Sequence, residues 1–371
     1  MVHDVVILGA TIAGLTSARI LARAGFDAMV LDPNLELRSA GIGHGVAACG
    51  HASTVANMGH AYGGAAAREH IRRNLEGMAQ IRKVLARAGQ DPDERVLVDT
   101  TGTEADDFQE IASWFEDEGA DYSLGVGGSL GATLLTTALM LNPVDYATQL
   151  LSQAQQAGVR VAHGVTVTHL RRREGLTDVL YRDNIAWASD MRVVSGIAVV
   201  DTLGVSPWGR AARIGPAQWV PTVRCTPAEP MEEVQLIGSG PAWMVRPDGQ
   251  QHLVLGQKAT LSAIDATTKA LVGWVKEQGW KVEKVGRLAI DPSDHGRPLV
   301  GASAIPGGYY ARGNGRGELM NGTASGTYLA QTLIGWRDAG RPLPLTSRMR
   351  AQSRKASQRV LERVGFHHHA L

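Results

Sequence analysis

The stretch VVILGATIAGLTSARILARAG, residues 5 to 25, constrains the fold of this chain more than any other. Val5 to Leu8 is an unbroken apolar run closed by Gly9, and Ile12, Leu15, Ala18 and Ala22 then recur at helical spacing as far as Ala24. Gly25 stops that helix, and Ala28 to Leu31 reads as a second apolar strand ending in Asp32. Strand, turn, helix and strand within about 30 residues form a βαβ unit, the start of a parallel α/β sheet. In the dinucleotide-binding form of this turn three glycines allow the bend, the approach of a pyrophosphate and close packing of helix on strand. Gly9 and Gly14 fill the outer positions, but Thr11 stands at the middle one. Its Cβ pushes a pyrophosphate outward, or its hydroxyl meets it, while the helix N-terminus still offers N–H groups and a positive dipole end. Asp32, placed to accept from a ribose 2′-hydroxyl, repels a 2′-phosphate and disfavours NADP.

The other global features mostly exclude. A chain of 371 residues with 44% hydrophobic composition is long enough for two lobes. A net charge of +1 provides no field to gather nucleic acid or coat an anionic membrane. No apolar run reaches the ~20 residues a bilayer span needs, and the first strand begins almost at Met1, so neither a membrane span nor a signal peptide is expected and a cytoplasmic location is. Cys49 and Cys225 form no CxxC pair, and neither they nor the histidines at 367 to 369 are assigned a metal.

Further along, residues 65 to 88 carry Ile71, Leu75, Met78, Ile81 and Leu85 at amphipathic spacing, a long scaffold helix. Asn142-Pro143 opens another helix running to about Ala157, followed by strands near 159–161 and 165–170 and an alternating stretch to about Trp187. The Pro- and Trp-rich region from Pro207 to Pro247, and a helix over 262–278, suggest a separate middle lobe. A Gly-rich turn and helix return after Leu299, and a basic helix is expected over 347–364.

Five segments in order resemble the FAD-dependent amine and amino-acid oxidase family, of the D-amino-acid oxidase and glycine/sarcosine oxidase kind. In addition to the turn, they are HASTVANMG (51–59), NPVDYATQLLSQAQQAGVRVAHGVTVTHL (142–170), PDGQQHLVLGQ (247–257), DHGRPLVGA (294–302) and GYYARGNGRGELMNGTASGTYLAQTLIG (308–335). The resemblance covers nearly the whole chain. It implies an α/β fold: a Rossmann-like FAD-binding lobe from residues 1–80, 142–205 and 295–371, and a substrate lobe on a mixed, largely antiparallel sheet from 81–141 and 206–294. Carried over by position, Gly9, Thr11, Ile12, Ala13 and Gly14 would meet the pyrophosphate, Asp32 the ribose, and Arg38 the region beside it. Ser53, Thr54 and Asn57 would flank the flavin, Val165 or Val167 the adenine, and Gly313, Asn314, Gly315, Arg316 and Gly317 the isoalloxazine edge. Physically, a Gly-rich turn entering a helix aims N–H groups and a positive dipole end at what lies above it, as a reduced flavin requires.

The resemblance implies hydride transfer from a CH–NH bond of a small amine or amino acid to flavin N5, with oxygen or an electron-acceptor protein as oxidant; an oligomer is left open. His44, His51, His60 and Tyr62 are the candidates for taking a proton from a substrate ammonium. The family's usual carboxylate-binding arginine is missing from GRLAIDPSDHGRP; Arg312 is the expected replacement, with Arg246 and Arg316 as alternatives, and a substrate without a carboxylate stays open. FAD is expected to be noncovalent, because the C-terminal Gly-rich region holds no cysteine. The competing readings are a flavin-dependent monooxygenase, which lacks its GD motif here, and a flavoprotein subunit or degenerate FAD scaffold acting with a partner.

Overall fold

The computed structural model describes residues 1–37, 43–101, 105–127, 131–184, 191–203, 218–291, 296–303 and 306–338. Arg38 and the basic segment at 347–364 lie outside the described residues.

The chain opens with β1 (Val2–Leu8), α1 (Ile12–Arg23) and β2 (Ala28–Asp32). The apolar run of β1 is buried from His3 to Leu8, as a strand covered on both faces must be. Next come β3 (Val46–Ala48), α2 (Ala52–Tyr62), α3 (Gly64–Arg87), β4 (Asp93–Asp99), α4 (Ala105–Asp117), β5 (Tyr122–Gly127) and β6 (Gly131–Met140). α5 (Pro143–Gln156) has Pro143 in its first turn and the Asn142 side chain accepting from Val144 N, the start signalled by Asn-Pro. There follow β7 (Arg160–His163), β8 (Val165–Arg173), β9 (Leu176–Asp183) and β10 (Arg192–Asp201), then β11 (Gln218–Thr226), β12 (Val234–Leu236), β13 (Ala242–Asp248) and β14 (Gln251–Gly256). α6 (Ile264–Glu277), β15 (Lys281–Ile290), β16 (Leu299–Ala302), β17 (Gly308–Arg312) and α7 (Glu318–Asp338) complete the order.

Two mixed sheets result. The first runs β16-β17-β10-β1-β2-β7, its four pairings from β17 to β7 parallel and β16 on β17 antiparallel, with β9 on β10 and β8 on β9 also antiparallel. The second runs β15-β11-β14-β13-β12-β4-β6-β3, with β5 also on β6; only β12 with β4 is parallel. The fold is therefore the α/β architecture expected, a Rossmann-like sheet beside a mixed, largely antiparallel one. α1 packs on α5 and α7, placing the first βα turn beside the start of α7. One difference from the sequence expectation is α2, a helix where only a flavin-lining segment was foreseen. Another is β3, which pairs with β6 in the second sheet although it falls within residues 1–80.

Candidate active site

Thr11 is the N-cap of α1, and its Oγ1 accepts from Gly14 N at 3.0 Å while donating to Thr202 Oγ1 at 2.9 Å. Thr202 in turn donates to the Leu8 carbonyl at 2.8 Å. The hydroxyl's single proton is directed into the turn, at Thr202. Gly14 is required by contact: a Cβ there would stand 2.1 Å from the Gly9 carbonyl oxygen. Ile12 and Ala13 are fully buried, and what they could offer an anion is the backbone N–H of a helix's first turn. Asp32 is fully buried and closes the turn by accepting from Ala10 N at 2.6 Å and Asn34 N at 2.8 Å. Val165 packs into the core beside Leu8 and Leu31, with Val167 packed against the same cluster.

The chemistry-bearing side chains gather in a cavity of about 240 Å³. α2 supplies Ser53, Thr54 and Asn57 to its wall, with His51 just ahead of the helix. The N-terminus of α2 is capped from the second sheet. Asp99, at the end of β4, accepts from Ala52 N at 2.6 Å and from Thr101 N and Oγ1 at 2.8 and 2.6 Å, and Thr101 Oγ1 accepts from Ser53 N at 3.1 Å. Burial pushes the Asp99 carboxyl up, while these donors oppose that shift.

Another wall is the turn at 314–317, fastened by Asp291. The Asp291 carboxylate takes Arg312 Nε and Nη2 at 2.7 and 2.8 Å and Gly313 N at 2.8 Å, and its carbonyl takes Gly315 N at 2.9 Å. Asn314 is held by Asn321, which donates to its carbonyl at 2.8 Å, and by Ser325, which donates to its Oδ1 at 3.1 Å. The first turn of α7 carries Glu318, whose carboxyl burial, and then Asp291, push up to about 8.

From this turn the Arg316 guanidinium lies over the Trp243 ring at 3.7 Å, and His44 and His51 meet the same ring edge-on at 5.6 and 5.7 Å. Burial lowers Arg316 to about 9. His51 falls to about 3 through burial, then Arg316 and His70; His70 falls to about 4 through burial, then Arg73 and Arg297. The imidazoles are neutral near pH 7. No acidic side chain is among the described residues of the lining, and four buried polar atoms there have no partner within the protein: His51 Nδ1, Gln218 Oε1, Arg316 Nη1 and Asn321 Oδ1.

The expected site residues therefore part company. His51, Ser53, Thr54, Asn57 and residues 314–317 share the cavity. His60 and Tyr62 are exposed at the far end of α2 and do not line it, and helix geometry carries them two to three turns away from His51. His44 is 2% exposed and sits behind Trp243 instead, with Nδ1 accepting from Val46 N. Arg312 does not line the cavity, and its Nε and Nη2 are paired with Asp291. Arg246 is buried, 3.9 Å from Asp248, and does not line the cavity. The sequence reading missed His70, Asn74, Gln218, Trp243, Lys258 and Asn321, all of which line it. His70 and Asn74 had a local signal, two polar residues one turn apart in the buried stripe of α3; the others had none. Among the described residues no cluster of His, Cys, Asp and Glu is suited to a metal, and no helix is long and apolar enough to cross a membrane.

A family model described as FAD dependent oxidoreductase matches residues 4–332. No curated protein matches the chain. Among solved structures, glycine oxidase from Geobacillus kaustophilus aligns with a TM-score of 0.66 at 14% identity, covering 90% of this chain and 95% of that one. L-proline dehydrogenase from P. horikoshii aligns at 0.67 and 13%, covering 89% and 92%. L-amino acid deaminase from Proteus vulgaris aligns at 0.66 and 11%, covering 93% and 95%. At these identities the likeness is one of fold.

Proposed function

The chain belongs to the FAD-dependent oxidoreductase family, and from that premise we propose that it oxidises the CH–NH bond of a small amino acid bearing a free carboxylate, which Arg316 binds. The observation that carries this reading is Arg316 itself, a cation whose Nη1 has no partner, in a lining with no acid among its described residues. A buried guanidinium favours an anionic partner, and a carboxylate matches its fork. An amine without a carboxylate would bring a further cation beside Arg316 and Lys258 and no anion.

The residues suit a flavin. The orphaned atoms of His51, Gln218 and Asn321 offer the mixed donors and acceptors that a polar heterocycle needs, and the turn at 313–317 leads into α7 with its N–H groups and dipole. The first sheet and its helices form the FAD-binding lobe in this reading, and the second sheet forms the substrate lobe. FAD, when bound, supplies the acceptor for the hydride. Ser53, Thr54 and Asn57 hold it from α2. Arg316 orients the substrate, and Trp243 excludes water beneath the guanidinium. His51, neutral and with Nδ1 free, is a hydrogen-bond partner for the substrate's amino group, which reacts as the free amine, since a base lowered to about 3 does not take a proton from an ammonium. FAD is held without a covalent bond: the Cys49 thiol is buried and pushed up to about 12, so it is no nucleophile. Oxygen or an acceptor protein takes the electrons onward.

The test is the visible spectrum of purified protein before and after acid precipitation, followed by anaerobic mixing with amino acids and their decarboxylated amines. Flavin released into the supernatant and bleached by amino acids alone is expected. Amines that bleach it equally fast would remove the role of Arg316.

A further inference from the structure

Thr11 takes a donor away from the anion-binding end of α1, and a carboxyl on the facing helix stands beside that end. In the first turn of α1 the Gly14 N–H is spent on Thr11 Oγ1 at 3.0 Å, which leaves the N–H groups of Ile12 and Ala13 for an anion. α7 packs on α1 here. A Cβ on Gly322 would stand 3.2 Å from Ile12 Cβ and 3.3 Å from Glu318 Oε1, so the Glu318 carboxyl lies beside the first turn of α1. Arg316 and Gly317 line the main cavity, whereas Glu318, the next residue, does not and turns toward α1. Its side chain is half-buried, and among the described residues its one hydrogen bond is long, 3.5 Å from Asn314 Nδ2 to Oε1. An acid with an oxygen to spare thus stands between the cavity and the first βα turn.

We propose that Glu318 binds the diphosphate of FAD as a neutral acid, donating its O–H to a phosphate oxygen beside the N–H groups of Ile12 and Ala13. The inference rests on FAD as the cofactor, with its ring in the cavity and its phosphates at the first βα turn, and not on the substrate. A cofactor that spans those two places passes Glu318. An ionised carboxylate there would repel the phosphates, whereas an O–H donor to a phosphate oxygen makes a short, strong bond. The groups facing the carboxyl pull in both directions. Burial and Asp291, just past β15, oppose ionisation; Arg312 on β17, Asn314 in the turn and the positive end of α7 favour it; α1 presents only the uncharged Ile12. With the carboxyl raised to about 8, the acid is mostly neutral at pH 7. Above that value FAD binding has to draw one proton from water onto Glu318.

The test is the affinity of the full chain, freed of FAD, for added FAD, titrated by quenching of flavin fluorescence between about pH 6 and 9.5. In the natural protein Kd is expected to hold level to about pH 7 and then to rise, approaching tenfold per pH unit above about 8. Glu318→Gln, whose amide donates at every pH, is expected to keep the tight value without the slope. Glu318→Ala is expected to bind about tenfold more weakly at pH 7, also without the slope. A Kd of the natural protein that does not change with pH overturns the proposal, and so does a slope that persists in Glu318→Gln. If the variants fold poorly, the natural protein decides alone. At about pH 8.5 its heat of FAD binding is expected to vary with the ionisation enthalpy of the buffer, as uptake of up to one proton requires, and a heat independent of buffer overturns the proposal. Protein that binds no FAD at any pH would end the cofactor reading and this proposal with it.

Discussion

Two arginines four positions apart have opposite fates, and their immediate neighbours do not foretell which. Arg312 and Arg316 both flank glycine in the same turn, yet Asp291, 21 residues upstream of Arg312, takes the first as a bidentate partner and leaves the second over Trp243. Removing one partner of a buried charge pair costs about 2–5 kcal/mol, so Arg316→Met should weaken binding of a carboxylate ligand by about 30-fold or more, read from its perturbation of the flavin spectrum. Because burial lowers Arg316 to about 9, it is a cation below that value; carboxylate binding should stay level to about pH 8 and weaken as the pH rises through 9. Glu318 makes a separate prediction for stability. Its carboxyl is raised to about 8 in the folded protein, so between the ordinary carboxylate range and pH 8 the folded state holds a proton that the unfolded state has lost. Stability from this group is full at low pH, falls as the pH rises through that window, and is level above it. Glu318→Gln should flatten the slope of Tm against pH between about 5 and 8; an unchanged slope would assign it to other groups.

At the scale of elements, the legible helices are those that carry their own signals. α1 and α5 are capped by Thr11 and Asn142, residues adjacent to their own first turns, and both were readable from the sequence. α2 was not, because His51 makes no side-chain cap and the capping groups come from Asp99 and Thr101, nearly 50 residues on. A cap borrowed from another sheet leaves no local trace, yet it sets where Ser53, Thr54 and Asn57 stand. Asp99→Ala strips the acceptor from Ala52 N and Thr101 at once, and buried donors left in that state cost about 1–3 kcal/mol each. We expect a lower Tm and a weaker grip on FAD, measured by flavin fluorescence on dilution. Thr101→Val, which removes the bond from Ser53 N and the one Thr101 Oγ1 donates to Asp99 but leaves Asp99 to cap Ala52 N, should show a smaller loss of both. Equal losses in the two variants would mean that Asp99 does not act through α2. The contact of α7 with α1 was equally hidden: Gly326 is small because a Cβ there would stand 2.4 Å from the Ala13 carbonyl oxygen. The sequence showed a glycine in a helix, but not the helix against it.

Over the whole molecule, the cavity draws its wall from residues as far apart as Val46 and Asn321: strands of the second sheet on one side, and α2, α3 and the turn into α7 on the other. What local periodicity can place is the first sheet's βαβ unit and the turn at 313–317, so that half of the site was readable. Trp243, Gln218 and Lys258 belong to antiparallel strands and their ends, where a register shift of one residue turns every side chain to the other face, and only long-range pairing fixes that register. A site shared in this way makes the ligand a cross-link between the lobes. FAD should therefore raise the Tm of the protein as one transition, by an amount that grows with its concentration; at 100 times its dissociation constant the stabilisation is about 2.7 kcal/mol. A simple carboxylate such as acetate should add a further rise only once FAD is in place, since its seat on Arg316 is completed by the ring beside it, and should add none in Arg316→Met. Scanning calorimetry with each ligand alone and both together decides the point. Two transitions, only one of which moves with FAD, would show that the lobes do not share the ligand. A rise with acetate in the absence of FAD would mean that the anion site is complete within the protein alone.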